Sequence, residues 1–179
     1  MNHAILLQPA EHIRDVFLRM LDATPRELWF EPFGGRGGGG PGGSGEPDDD
    51  ALGNTVAWTI GHLAWAEDMS LVSVGGPATI PDTEAFAARF AWKTTPIRTP
   101  ADAPPLDGLL ATLETTRSAL TTWFNARSAE ELEAPLTGEF ASWCPVLGLL
   151  PASLAHHEAM HVGQFQVFRR ARGLAPVFV

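Results

Sequence analysis

The chain is poor in cysteine, poor in cations and free of long apolar runs, and each scarcity excludes a class of protein. Cys144 is the single cysteine among 179 residues, which rules out an intramolecular disulfide and a cysteine-based zinc finger. That fits a reducing, cytoplasmic setting, the localisation expected here. Beside Trp143, Cys144 reads as a small apolar residue rather than a nucleophile. Lys and Arg total 12 against 21 Asp and Glu, a formal net charge of −9. Basic residues gather only at Arg169, Arg170 and Arg172, so no nucleic-acid partner is expected. No stretch of about 18 apolar residues offers a transmembrane helix. The segment MNHAILLQPAEHIRD lacks the basic leader of a signal peptide. No membrane partner is expected. No segment alternates apolar and polar residues as a half-buried strand does.

What is present is a globular mix, 45% hydrophobic and 18% charged, of a length that suits one domain over 1–179. Four long segments carry helical spacing. In 9–23, Ile13, Phe17, Leu18 and Leu21 form an apolar stripe, with Glu11, Arg14, Asp15, Arg19 and Asp22 mostly off it; Pro9 falls in the first turn. Leu28, Trp29 and Phe30 follow as an anchor. Residues 54–74 form the second helix, with Asn54 as its cap and Gly75-Gly76-Pro77 as its stop. Residues 82–92 carry a weaker helical signal and 96–105 a proline-rich connector. Residues 106–127 form the third long helix, followed by a capping box from Ser128 and Glu131. The last long helix spans about 147–172, with Pro151 near its start and Gly173 at its end. Its apolar tail is suited to packing on the bundle or on a second subunit. The pattern predicts an all-α four-helix bundle with at least one long crossover connection.

Residues 34–50, GGRGGGGPGGSGEPDDD, form a flexible loop, because glycine costs backbone entropy and offers nothing to bury. A phosphate cradle would need a preceding strand and a GK[ST] or GxGxxG context, both missing here, and the acidic end would repel phosphate.

Six histidines are candidates for chemistry. His157 and His161 are four apart on a helix, hence on one face, the spacing by which one helix offers two imidazoles to a metal. By itself the pair is weak, since chance supplies such pairs. His62 lies mid-helix in an apolar run with Trp58, Ile60, Leu63 and Trp65. If the two helices pack side by side, three imidazoles meet at one level, and three neutral ligands leave a fourth position for water or substrate. On spacing alone, a metal site and a core histidine beside a solvated pair stand equal. His156 points about 100° away from His157. His3 and His12 are expected in solvent. Gln164 shares the His157 face, either as a donor behind the ligands, a group orienting substrate, or a helix-packing residue. Glu67 and Glu158 lie off that face and are expected in surface salt bridges rather than as a general base. Trp58, Trp65 and Met69 share the His62 face, as pocket mouth or as plain core.

These residues carry a resemblance. GNTVAWTIGHLAWAEDMSL and HHEAMHVGQFQVFRR resemble the two signature segments of the DinB/YfiT-like superfamily of metalloenzymes. One is a W-x-x-x-H element on the second helix, the other H-x-x-x-H-x-G-Q on the last. Here they are Trp58 and His62, then His157, His161, Gly163 and Gln164, with about 95 residues between the elements. The resemblance runs from about residue 5 to 172; the glycine-rich loop has no counterpart. It implies a DinB-like four-helix bundle, a divalent-metal site with His62, His157 and His161 as ligands, and often a homodimer. Known members include transferases that use low-molecular-weight thiols such as bacillithiol or mycothiol, and a thiol-dependent isomerase; many have no assigned activity.

Three imidazoles leave a divalent ion its full charge, able to lower the pKa of bound water to about 7 or to hold a thiol as thiolate. The resulting expectation is a metal-dependent enzyme, a thiol-dependent S-transferase acting on a small electrophilic molecule, with zinc or nickel as the metal. A metal-dependent hydrolase is one alternative, and a non-catalytic stress-response or binding module with a bound metal is the other.

Overall fold

The computed structural model describes residues 3–34 and 53–177. Nearly all of the glycine-rich segment expected as a flexible loop therefore lies outside the described residues. Among those described there is no strand, only an isolated β-bridge between Pro135 and Val146. The helices are α1 (His3–Asp22), α2 (Val56–Ser73), α3 (Thr83–Phe90), α4 (Leu106–Asn125), α5 (Ala129–Glu133) and α6 (Leu150–Ala171). No helix among the described residues is long and apolar enough to cross a membrane.

Three details of the helices differ from the sequence reading. First, α1 starts at His3, so Pro9 lies inside it. The bond that proline forfeits is to the Ile5 carbonyl, and Ile5 and Pro9 are both exposed, so water can serve that carbonyl. Second, the inward seam of α1 is Leu7, Ala10, Arg14, Phe17 and Leu21, whereas Leu18 is exposed. Arg14 thus occupies a core position. Third, the cap of α2 is Thr55 rather than Asn54. The Thr55 hydroxyl accepts from the Trp58 N–H at 3.2 Å and donates to the Ile97 carbonyl at 2.8 Å, which ties the helix start to the α3–α4 connection.

Other ends follow local chemistry. Asp82 caps α3 by accepting from the Ala85 N–H at 3.0 Å. Ser128 and Glu131 form the reciprocal capping box of α5. A 3-10 turn, Leu147–Leu149, precedes α6, and Pro151 sits in its first turn. Gly173, at φ 69°, ends it. Beyond Gly173 the tail lies on its own bundle: Arg169 donates to the Ala175 carbonyl at 2.8 Å, and Val177 packs against the core.

Helix α1 packs along α6, and α2 along α4. The interior is divided into two apolar cores. The first includes Phe17, Ile60, Leu113 and Phe165; the second includes Leu7, Leu71, Leu120 and Leu154. Each fully buried phenylalanine contributes roughly 1.5–3 kcal/mol. The order of these residues along the chain fixes direction. Helices α1 and α6 run from the second core to the first, and α2 and α4 run the other way. The α2–α4 connection, which carries α3, must therefore travel back along the bundle, the crossover that the spacing implied. Helix α2 is buried on nearly every face, as a helix apolar all round must be.

A polar layer separates the two cores. It contains Arg14, Glu67, Arg117 and Glu158, one charge from each long helix. Arg14 donates to Glu158 at 2.6 Å and to Glu67 at 2.8 Å. Arg117 donates to Glu67 at 2.7 Å and to Glu158 at 2.9 Å, and the Thr116 hydroxyl donates to Glu67 at 2.8 Å. Glu67 and Glu158 are 2% and 1% exposed, so the surface salt bridges expected for them are buried ones. Two cations balance two anions. Burial alone would push the Arg14 guanidinium down, but the two carboxylates hold it above its ordinary value.

Candidate metal centre

His62 projects from the middle of α2, and His157 and His161 from the middle of α6. The His62 and His161 Nε2 atoms each lie 3.2 Å from Nε2 of His157. All three donor atoms fall within 4.8 Å of one another, and they form a three-member group among the described residues. The approach of α2 to α6 brings the three imidazoles together, the meeting that the spacing allowed. His156 is exposed and outside the group.

The surroundings fix the orientation of His62. Its Nδ1 lies 2.8 Å from the Phe90 carbonyl. A carbonyl only accepts, so Nδ1 carries the proton and Nε2 keeps its lone pair. Phe90 can sit this close because residue 61 is glycine: a Cβ there would come within 2.3 Å of the Phe90 ring. Trp58 stacks on the His62 ring at 4.5 Å between centroids and 13° between planes, and Trp65 at 5.6 Å and 27°. The Trp58 indole N–H donates to Thr94 at 3.0 Å, which locks that ring in turn.

Burial pushes the His62 imidazolium below its usual range, against the pull of the Phe90 carbonyl. Burial, with His62 nearby, holds His157 down at about 4. Burial, with His157 and His62 nearby, holds His161 at about 3, the Gln164 side chain opposing. All three are neutral at pH 7, the form in which imidazole binds metal.

The donor set fits a divalent transition ion. With the His62 proton on Nδ1, the converging Nε2 atoms have more lone pairs than shared protons to satisfy them. Tetrahedral ligands at about 2.0–2.1 Å would place neighbouring nitrogens about 3.3–3.4 Å apart, close to the 3.2 Å separations here.

The three histidines line a cleft of about 1160 Å³. Trp58, Trp65, Met69 and Gln164 also line it, although Trp58 is itself buried. Gln164 is exposed at the cleft and accepts from the Asn54 amide at 3.5 Å, so it is not a helix-packing residue. Cys144 is fully buried in the second core, where burial pushes its thiol up. That is the environment of an inert cysteine. His3 is half-buried and meets Phe124 edge-on at 6.0 Å, unlike the solvated residue expected; His12 is exposed.

Sequence reasoning missed several parts of the site. The Phe90 bond is made by backbone, which no residue type announces. Trp92, Lys93, Phe140 and Trp143 reach the cleft from irregular connections. A findable signal existed only for Arg14, whose place in the 7, 10, 14, 17, 21 seam marks it as inward-facing.

The family model described as the DinB superfamily matches residues 10–165. No curated protein and no solved structure matches the chain.

Proposed function

The chain belongs to the DinB superfamily, and from that membership we propose that it is a metal-dependent enzyme, a thiol-dependent S-transferase acting on a small electrophilic molecule. The observation that carries the reading is the convergence of three neutral imidazoles on one point in the wall of an open cleft. His62, His157 and His161 would hold the ion, zinc or nickel being among those that suit imidazole donors. A divalent ion there would supply Lewis acidity, enough to keep a low-molecular-weight thiol ionised near neutral pH.

The chain's own residues do the rest. The Phe90 carbonyl and the Trp58 face hold the His62 ring in one tautomer and one orientation, so the donor set is preorganised. The apolar part of the cleft wall would take the apolar part of the electrophile. No cysteine lines the cleft, so the nucleophile comes from the small thiol. Glu67 and Glu158 are committed to Arg14 and Arg117, so neither is free to act as a general base on water, and a hydrolase would have to use Glu139, exposed on the cleft wall.

The test is metal content by mass spectrometry on untagged protein and on His62→Ala, His157→Ala and His161→Ala, followed by turnover of electrophiles with a panel of small thiols. The reading expects close to one transition metal per chain, lost in each variant, and thiol-dependent turnover. No metal after reconstitution with zinc and nickel would overturn the metal centre. Turnover indifferent to every thiol would overturn the transferase.

A further inference from the structure

We propose that the cleft beside the three imidazoles binds a planar aromatic monocarboxylate, with its ring among the tryptophans and its carboxylate at Lys93. This names the substrate class of the site assigned above and rests on that reading.

The first observation is how indole is distributed. Four of the six tryptophans, Trp58, Trp65, Trp92 and Trp143, line this one cleft. Two are stacked on His62, but Trp92 is 74% exposed and Trp143 38%. These two come from different connections, Trp92 from α3–α4 and Trp143 from α5–α6. Met69 and Met160, exposed on α2 and α6, border the same space. Indole faces gain most from a flat ring that stacks on them, and thioethers favour ring edges. An aliphatic ligand would use the area but not the geometry.

The second observation is charge. Among the described residues Lys93 is the only Lys or Arg lining the cleft, and it holds φ 69°, in the left-handed region that a non-glycine residue rarely adopts. That backbone carries its ammonium 4.7 Å from the centre of the Trp92 ring. The protein thus supplies its own cation to that indole face, so a cationic ligand gains little there, whereas a carboxylate meets an ammonium beside an aromatic surface. A divalent ion on the imidazoles would add to the preference for an anion. Among the described residues Glu139 is the one acidic residue lining the cleft, and it disfavours a second negative charge on the ligand. The cleft volume, about 1160 Å³, exceeds what one small ring fills, which leaves space for a thiol beside it.

The test is calorimetric titration of metal-free and zinc-reconstituted protein with 1-naphthoate, 1-naphthylmethanol, cyclohexanecarboxylate and 1-naphthylmethylammonium. We expect 1-naphthoate to bind about tenfold more tightly than cyclohexanecarboxylate, and Trp143→Ala to remove about the same factor. Lys93→Gln should weaken 1-naphthoate about fivefold and leave 1-naphthylmethanol unchanged. Binding by the metal-free protein separates this proposal from the metal reading, which metal analysis tests alone. Equal binding of the cyclohexane acid, preference for the ammonium compound, or no 1-naphthoate binding to either natively folded form would overturn it.

Discussion

Arg14 and Glu158 meet at 2.6 Å in the interior of the bundle, and Glu158 directly follows His157 on α6. The pair therefore anchors the stretch of α6 that presents a candidate metal ligand. Removing one partner leaves an uncompensated buried charge. Arg14→Met should cost about 3–5 kcal/mol in denaturant unfolding. Arg14→Met combined with Glu158→Gln should cost less than the sum of the two single changes. A loss for Arg14→Met below about 1 kcal/mol would mean that Arg117 balances both carboxylates without it.

The stability of metal-free protein should fall on acidification in a defined window. His157 and His161 titrate at about 4 and about 3 when folded, against about 6.5 unfolded. Between those values the unfolded chain binds more protons than the native one. The contribution of these residues is whole above pH 6.5 and is lost as pH falls toward 4 and then 3. Thermal unfolding of the His157→Leu, His161→Leu double variant should depend less steeply on pH over that range than the parent. Equal slopes would show that these imidazoles do not drive the acid sensitivity.

Gly61 and Gly163 make opposite predictions. At Gly61 a methyl group meets the Phe90 ring at 2.3 Å. Gly61→Ala should therefore cost about 1–3 kcal/mol and, by displacing the carbonyl that orients His62, weaken metal binding about tenfold or more. At Gly163 a methyl group meets nothing within 4 Å. Gly163→Ala should stabilise α6 by about 0.5–1 kcal/mol with metal content unchanged. Thermal unfolding and metal titration of both variants check the contrast.

Metal should stabilise the folded chain by mass action. Free metal at about 100 times its dissociation constant gives about 2.7 kcal/mol, which for this length is a rise in Tm of roughly 5–10 °C. A chelator should reverse it, and His161→Ala should abolish it. A Tm indifferent to zinc and nickel would argue against binding at the three imidazoles.

The sequence made some of these features legible and concealed others. Periods near 3.6 exposed α1 and α4, each of which buries one face, whereas α2 showed as a long apolar segment between its cap and its glycine stop because it is buried on nearly every face. Spacing singled out His62, His157 and His161, two of them one turn apart and the third interrupting an apolar run, but it left a metal site and a core histidine equal, and the resemblance to the DinB-like motifs decided between them. Arg14 was overlooked because a charged residue reads as solvated when its partners, here on α2 and α6, are unknown, although its place in the apolar seam marks it as inward-facing. Thr55 displaced Asn54 as a cap because its hydroxyl also reaches Ile97, a tertiary contact that local propensity does not contain. The cleft walls at Trp92 and Trp143 come from segments without periodicity, so nothing in their spacing indicates where they fold.

The layer of four charges bears on how the bundle assembles. Arg14, Glu67, Arg117 and Glu158 come one each from α1, α2, α4 and α6. Any three of these helices docked without the fourth would leave charges of the layer short of a partner. Half-assembled forms are thus selectively disfavoured, and the chain gains cooperativity beyond what its two apolar cores would confer. His62 meets His157 only once α2 and α6 are both seated, so the three-imidazole cluster is a property of the finished bundle, not of any fragment that precedes it.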